Sequence, residues 1–459
     1  MSVSGHITAM KVGGSKVIKA YFNGNLVFGG KLQDVYVTFT GNQKITVSMP
    51  KKYWKGTIEY SLDGYTWNTW SCSAVTSTTD ANKIFFRGKG NTYVTGSDAQ
   101  SFGNGFIVNG TDSSTFEFTV TGDLQNLLDY EVLGAGGTPS AAADCFSYLF
   151  YKQNIVGCDP LAMESVPKDG YFYMFAQCSK LVTPPQILAK TVGDSAFCRM
   201  FWGSAVTETP EFVFTSIGSY GCNSMFYECT SLKKIHFPSE TVTASTYSFD
   251  QMFSGCSALE DAGVDIHIKG TTDDNTSNLN YAFMQTFFAC KMLKSAPNFY
   301  IHSGNPYAMF HSTFMNCSVL ETAGNVTMSI AGTGAGYMFY QTFSQCTKLT
   351  TPPTMTGVGF GYSSQCYNMF YYCSALNKIY SFRTLGGTKT NVEANSFTGM
   401  YYKTQCEVGP AASYGNAYQI VVATVTTASS IYNFTYNGTT PISNVNTGYG
   451  TNSEIIMVN

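Results

Sequence analysis

Charge is scarce in this chain of 459 residues: only 12% are Asp, Glu, Lys or Arg, and 26 basic against 29 acidic side chains leave a formal net charge of −3. Without a basic excess there is little to neutralise a row of phosphates, which argues against nucleic acid as a partner. Long apolar runs are missing too. No segment approaches the roughly 18 uninterrupted apolar residues of a membrane-spanning helix, so no membrane insertion is expected. The amino terminus, Met1-Ser2-Val3-Ser4-Gly5-His6, shows no basic stretch followed by an apolar one, and no export signal is expected there. The motifs of common chemistries are also absent. No Ser-His-Asp order, paired-carboxylate motif or His-Glu-x-x-His is found, so the expectation is no enzyme, no cofactor and no metal.

What the chain does have is aromatics and thiols, with 34 Phe, 31 Tyr and 14 Cys, and a word it repeats. Met225-Phe226-Tyr227-Glu228-Cys229-Thr230-Ser231-Leu232 returns as Met252-Phe253-Ser254-Gly255-Cys256-Ser257-Ala258-Leu259, and Phe-x-x-Cys-x-x-Leu recurs around Cys178, Cys290, Cys317, Cys346 and Cys373. Successive cysteines stand 27 apart from 229 to 256, from 290 to 317 and from 346 to 373, with 34 between 256 and 290 and 29 between 317 and 346. A period of this size implies stacked repeats in which each unit buries its apolar face only against its neighbours.

Seven residues before each repeat cysteine stands Tyr171, Cys222, Phe249, Phe283, Phe310, Phe339 or Cys366. Apolar residues at i, i+4, i+7 and i+10 predict one face of a short helix. Weaker copies at Phe146/Phe150/Gln153, Phe197/Phe201/Ser204 and Phe397/Tyr401/Thr404 extend the array. After a Pro or Gly, alternating runs such as Val264-Asp265-Ile266-His267-Ile268 predict a strand with one buried face. Seven of the cysteines occupy one core-facing repeat position. They are therefore expected to be buried free thiols rather than disulfides.

The repeated word resembles the BspA-like branch of the leucine-rich repeats. Cys366-Tyr367-Asn368-Met369-Phe370-Tyr371-Tyr372-Cys373 is especially similar to the form common in proteins of gut bacteria and their phages. The resemblance covers about residues 144–404 and implies an interaction surface without implying a ligand. The Tyr60 to Tyr130 stretch looks like the module that precedes such repeats in the same proteins, and the first thirty residues are similar to short leader segments of phage tail and virion proteins.

The expected architecture is a mixed α/β solenoid of the leucine-rich-repeat type, preceded by an all-β sandwich-like domain and followed by a small β cap. Its expected parts are a hairpin attachment arm (1–30), the sandwich (31–131), a linker (132–143), the repeats (144–404) and the cap (405–459).

Alignment of neighbouring strands places Val264, Phe299 and Val326 inward. Asp265, Tyr300 and Thr327 are then expected in one outward row and His267, His302 and Ser329 in the next. These six residues, with Trp67 and Trp70 as possible sugar platforms, are the candidate binding surface. Trp67 and Trp70 stand three apart on a strand and should face opposite sides. Two histidines one strand apart could bind a metal with Asp265, but the row holds no third strong ligand, so a solvated face is the expectation. Ser61-Leu62-Asp63-Gly64-Tyr65-Thr66-Trp67 resembles the Asp-box turn of sialidase-like propellers. It is one residue short and occurs once, which favours a plain Asp-Gly hairpin. Asp273-Asp274-Asn275 matches no calcium-loop pattern and reads as an exposed loop, and Gly332 to Gly336 reads as a return loop.

Together these features lead to the expectation of a non-enzymatic structural and binding protein of a bacteriophage virion, a tail or capsid fibre subunit. Its expected partners are a host surface receptor such as a glycan, other virion proteins through the arm, and further copies of itself. A bacterial surface adhesin, located on the cell surface, is the second reading. A glycan-degrading enzyme is the third.

Overall fold

The computed structural model describes residues 11–12, 15–16, 19–22, 25–29, 35–78, 81–95, 105–271, 279–329, 335–358, 362–376, 419–420 and 454–455. The weak copy at 397–404, the acidic triplet at 273–275, the glycines at 332–334 and nearly all of the 405–459 element lie outside them. The chain divides into two compact units, Met1–Ala189 and Lys190–Asn459.

The first unit begins with two short antiparallel pairs, β1 (Lys11–Val12) with β2 (Ser15–Lys16) and β3 (Lys19–Phe22) with β4 (Asn25–Gly29). Alternating runs then form β5 (Val37–Gly41), β6 (Ile45–Ser48), β7 (Thr57–Ser61), β8 (Asn68–Thr69), β9 (Val75–Thr76), β10 (Lys83–Lys89), β11 (Ile107–Gly110) and β12 (Phe118–Thr121). Helix α1 (Asn126–Gly134) follows, then β13 (Ile155–Cys158) and β14 (Ser165–Val166). The order β13-β12-β5-β10-β7-β8 makes a six-stranded sheet, and β11-β6-β9 makes a second one. An aromatic core holds them together. Phe39 packs edge-on against Phe106 at 4.9 Å, Trp70 against Phe86 at 4.9 Å, and Trp54 stacks on Trp70 at 5.5 Å.

The second unit carries seven short parallel strands in chain order: β15 (Thr191–Val192), β16 (Ser216–Ile217), β17 (Val242–Ala244), β18 (Asp265–Gly270), β19 (Asn298–Ile301), β20 (Val326–Met328) and β21 (Met355–Thr356). A second ladder of single parallel bridges joins Glu208, Lys234, Asp261, Ser295, Thr322 and Thr351. Strands β22 (Gln419–Ile420) and β23 (Glu454–Ile455) pair in parallel.

The expected mixed α/β solenoid is not what forms. Helix α1 is the single helix among the described residues, and it lies outside the repeats. Where each repeat was expected to supply a helix, the chain is a run of turns with a left-handed residue every fourth position: Tyr220 (φ 59°), Ser224 (φ 52°) and Glu228 (φ 56°) in one copy. Amide hydrogen bonds alternate along this run. Gly221, Asn223, Met225 and Tyr227 donate three residues back, to Gly218, Tyr220, Cys222 and Ser224. Tyr220, Cys222, Ser224, Phe226 and Glu228 instead donate to Thr246, Ser248, Asp250, Met252 and Ser254 of the next copy, at 2.8–3.0 Å.

An α-helix would close every such bond within its own copy. Here half of them tie copy to copy, so the repeats form a β-type ladder on the turn side as well as on the strand side. Each left-handed non-glycine residue costs on the order of 1 kcal/mol. The inter-copy bonds offset that cost.

This geometry gives Phe-x-x-Cys a structural explanation. The Phe rings form a stack running 5.1 Å from Phe201 to Phe226, then 5.7, 5.4, 5.3, 5.3 and 5.6 Å through Phe253, Phe287, Phe314, Phe343 and Phe370. Each repeat thiol donates to the backbone carbonyl of the Phe one copy earlier. Cys229 reaches Phe201 at 3.0 Å, Cys256 Phe226 at 3.1 Å and Cys290 Phe253 at 3.2 Å, and Cys317, Cys346 and Cys373 continue the series. All thirteen described cysteines are free. Burial pushes the Cys229 and Cys317 thiols up to about 12.

Candidate binding surface

The strand face that points away from the core is built on β18, β19 and β20. Ile266, Phe299 and Val326 point inward and are buried, as are Ile268, Ile301 and Met328. The outward row between them pairs His267 with Tyr300 and Tyr300 with Thr327. Asp265 stands opposite Asn298, whose Nδ2 donates to its carboxylate at 2.9 Å. His302 and Ser329 are exposed beyond this row, and their amides donate to Ile268 and Ile301 at 2.8 and 2.9 Å.

The six residues expected on this face are therefore on it, but in a different register. His267, not Asp265, shares the row of Tyr300 and Thr327. A slip of two residues preserves the in-out alternation, so the pattern alone could not detect it. The slip puts His267 flat against Tyr300, with ring centroids 4.4 Å apart and planes 5° from parallel. It also brings Nδ1 of His267 within 3.2 Å of Nε2 of His302.

Trp67 and Trp70 are not brought together. Trp70 is 2% exposed, and its Nε1 donates to the Ser73 carbonyl at 2.8 Å, so it belongs to the core of the first unit. Trp67 is half-buried beneath the Arg87 guanidinium, 4.0 Å from its ring, and Arg87 is itself held by Glu59 at 2.7 Å. One Trp67 face is thus already occupied. The Asp-Gly turn nearby is a closed hairpin turn: Asp63 accepts from the Thr66 and Tyr65 amides at 2.7 and 2.8 Å, which hold its carboxyl well below the usual range.

On the turn side is a feature the sequence reading missed. Tyr220, Tyr247 and Tyr281 stack at 4.6 and 4.7 Å with planes 8° apart; Tyr307 then meets Tyr281 edge-on at 5.6 Å, and Tyr337 is tilted against Tyr307 at 6.0 Å. Tyr220 and Tyr337 are 42% and 37% exposed. Burial raises the phenol pKa of Tyr247 and of Tyr307. The signal was available as a tyrosine nine residues before Cys229, Cys256, Cys290 and Cys346, and ten before Cys317.

Three positions after Tyr220 and Tyr247 the side chains are polar, Asn223 and Asp250. Cys198 donates to Asn223 Oδ1 at 3.4 Å, and Asn223 Nδ2 donates to Asp250 Oδ2 at 2.9 Å. Asp250 Oδ1 is buried without a partner. That desolvation, partly opposed by Asn223, lifts the Asp250 carboxyl to about 7. Among the described residues no group of three or more His, Cys, Asp or Glu could hold a metal ion, and no helix is long and apolar enough to cross a membrane.

No family model matches the chain, and no curated protein does. Among solved structures it is similar to a leucine-rich repeat protein from Bacteroides ovatus, at 17% identity and a TM-score of 0.23. The match covers 52% of this chain and 63% of that one, so this chain spans under two thirds of that protein's length.

Proposed function

We propose that this chain is a non-enzymatic structural and binding protein that displays its repeat face to a host surface molecule as part of a bacteriophage particle. The observation that carries the binding part is the outward row His267, Tyr300 and Thr327, held in register by the β18, β19 and β20 backbone. Aromatic side chains on a rigid frame offer large contact area at low cost in conformational entropy, and a few such residues usually dominate binding. The low charge favours a neutral, hydroxyl-rich ligand such as a glycan over a strongly charged one. The particle part of the reading rests on the resemblance of the repeat word and the amino-terminal segments to phage proteins.

The test is binding of the purified chain to host cells with and without the fourfold change Asp265→Ala, His267→Ala, Tyr300→Ala and His302→Ala. Loss of binding with unchanged circular dichroism is expected. Normal binding by the variant would move recognition to another face. Neighbouring tail, portal or capsid genes are expected beside the gene, and their absence would favour the bacterial adhesin.

A further inference from the structure

We propose that His267 and His302 form a two-nitrogen clamp for a divalent late transition ion of the copper, nickel or zinc class. The proposal stands on the geometry of this chain and does not depend on the display reading above. Nδ1 of His267 and Nε2 of His302 face each other at 3.2 Å, with one ring N–H directed at the lone pair of the other. When that proton leaves, the two nitrogens carry lone pairs that face each other across this gap, on rings 14° from parallel. With metal–nitrogen bonds of about 2.0–2.1 Å, nitrogens this far apart subtend about 100° at the ion, between the right angle of a square or octahedral site and the tetrahedral angle. Each ring must turn by about 40° from this head-on arrangement to aim its lone pair at the ion.

The clamp is preorganised by the sheet rather than by the side chains alone. His267 is half-buried and stacked on Tyr300 at 4.4 Å, which limits its rotamers. His302 is placed by its amide bond to the Ile268 carbonyl at 2.8 Å, so the two rings sit on strands that cannot slide independently. Asp265, on the same strand as His267, accepts from the Asn298 amide and is not counted as a ligand. The remaining coordination positions face solvent and would be filled by water or by a donor from whatever meets this face. With two imidazoles and exchangeable water, the site should follow the usual order of divalent affinity, copper above nickel and zinc.

The other described histidines and the repeat thiols are committed elsewhere. His236 places its ring nitrogens 2.6 Å from Glu208 and 2.8 Å from Glu211, His311 lies under the Tyr340 ring at 4.6 Å, and the repeat thiols are buried against carbonyls. The experiment is calorimetric titration of the full chain with nickel and zinc chloride, together with electron paramagnetic resonance of the copper(II) form. One ion per chain and hyperfine coupling to two nitrogens are expected.

His302→Ala, at an exposed position, should fold normally, weaken binding about tenfold or more, and leave a single coupled nitrogen, because the chelate is reduced to one ligand. His267→Ala should do the same. His311→Ala and His6→Ala should leave binding intact. Absence of binding at millimolar ion, or affinity and nitrogen coupling unchanged in folded His302→Ala, would overturn the proposal.

Discussion

At the scale of single residues, burial decides the chemistry. Asp250 is 5% exposed, and one of its oxygens lacks a partner, so its carboxyl titrates near 7 rather than in the ordinary carboxylate range. An unfolded carboxyl titrates at about 4. Between about pH 4 and 7 the folded chain therefore keeps a proton that the unfolded chain has lost, and stability falls as pH rises through this window. Chemical denaturation of the wild type is expected to show higher stability at pH 5 than at pH 8. Asp250→Asn, which can still bond Asn223, should flatten that difference, and an unchanged slope would assign it to other groups. The thiols are a second case. Burial, with raised pKa values at thiols such as Cys229 and Cys317, predicts that the described cysteines react slowly with a disulfide reagent in the native protein and rapidly in denaturant. Fast native reaction of most thiols would contradict this. Both the Phe-x-x-Cys word and its core location were legible from spacing alone. The carbonyl that each thiol reaches was not, because it lies one copy away.

At the scale of the element, the same apolar spacing served two backbones. Positions such as Cys222, Phe226 and Cys229 are buried as a helical face would require, yet the chain between them turns left-handed every fourth residue. A glycine exchange separates the two conformations. Ala289 (φ 58°) occupies the place held by Gly255 (φ 76°) in the preceding copy. Ala289→Gly should be neutral or stabilising by up to about 1 kcal/mol, where the same change inside a helix would cost about 1 kcal/mol. Equilibrium denaturation gives the sign directly. The strands show the complementary case. Their existence and buried face followed from alternation, whereas the pairing of His267 with Tyr300 followed from a register that alternation leaves free.

At the scale of the whole molecule, the second unit is held by bonds between adjacent copies: strand pairs, turn-to-turn amide bonds, Phe stacks and thiol contacts. Stability should then behave as a sum over copies and the interfaces between them. Excising residues 291–317, the segment that carries Cys290 onto the position of Cys317, is expected to leave a soluble chain with a modest loss of stability. Removing about half of that segment should destroy the fold, because every later copy would meet its neighbour out of phase. Size-exclusion chromatography and a denaturation curve of the two deletions check this, and equal behaviour would argue against a common register.

The sequence by itself determined the repeat, its period, the buried Phe-x-x-Cys positions and the free thiols, because these depend on local spacing and on which side chains water rejects; Val264, expected inward, is half-buried, and Ile266 takes its place opposite Phe299. Only the tertiary structure decided that the turn segments are not helices, that His267 meets Tyr300 and His302, and that five tyrosines line up. The physical reason is the same in each case. A backbone N–H can close within its own copy or reach the next, and the difference lies in a partner some 27 residues away that must itself be folded before it can accept.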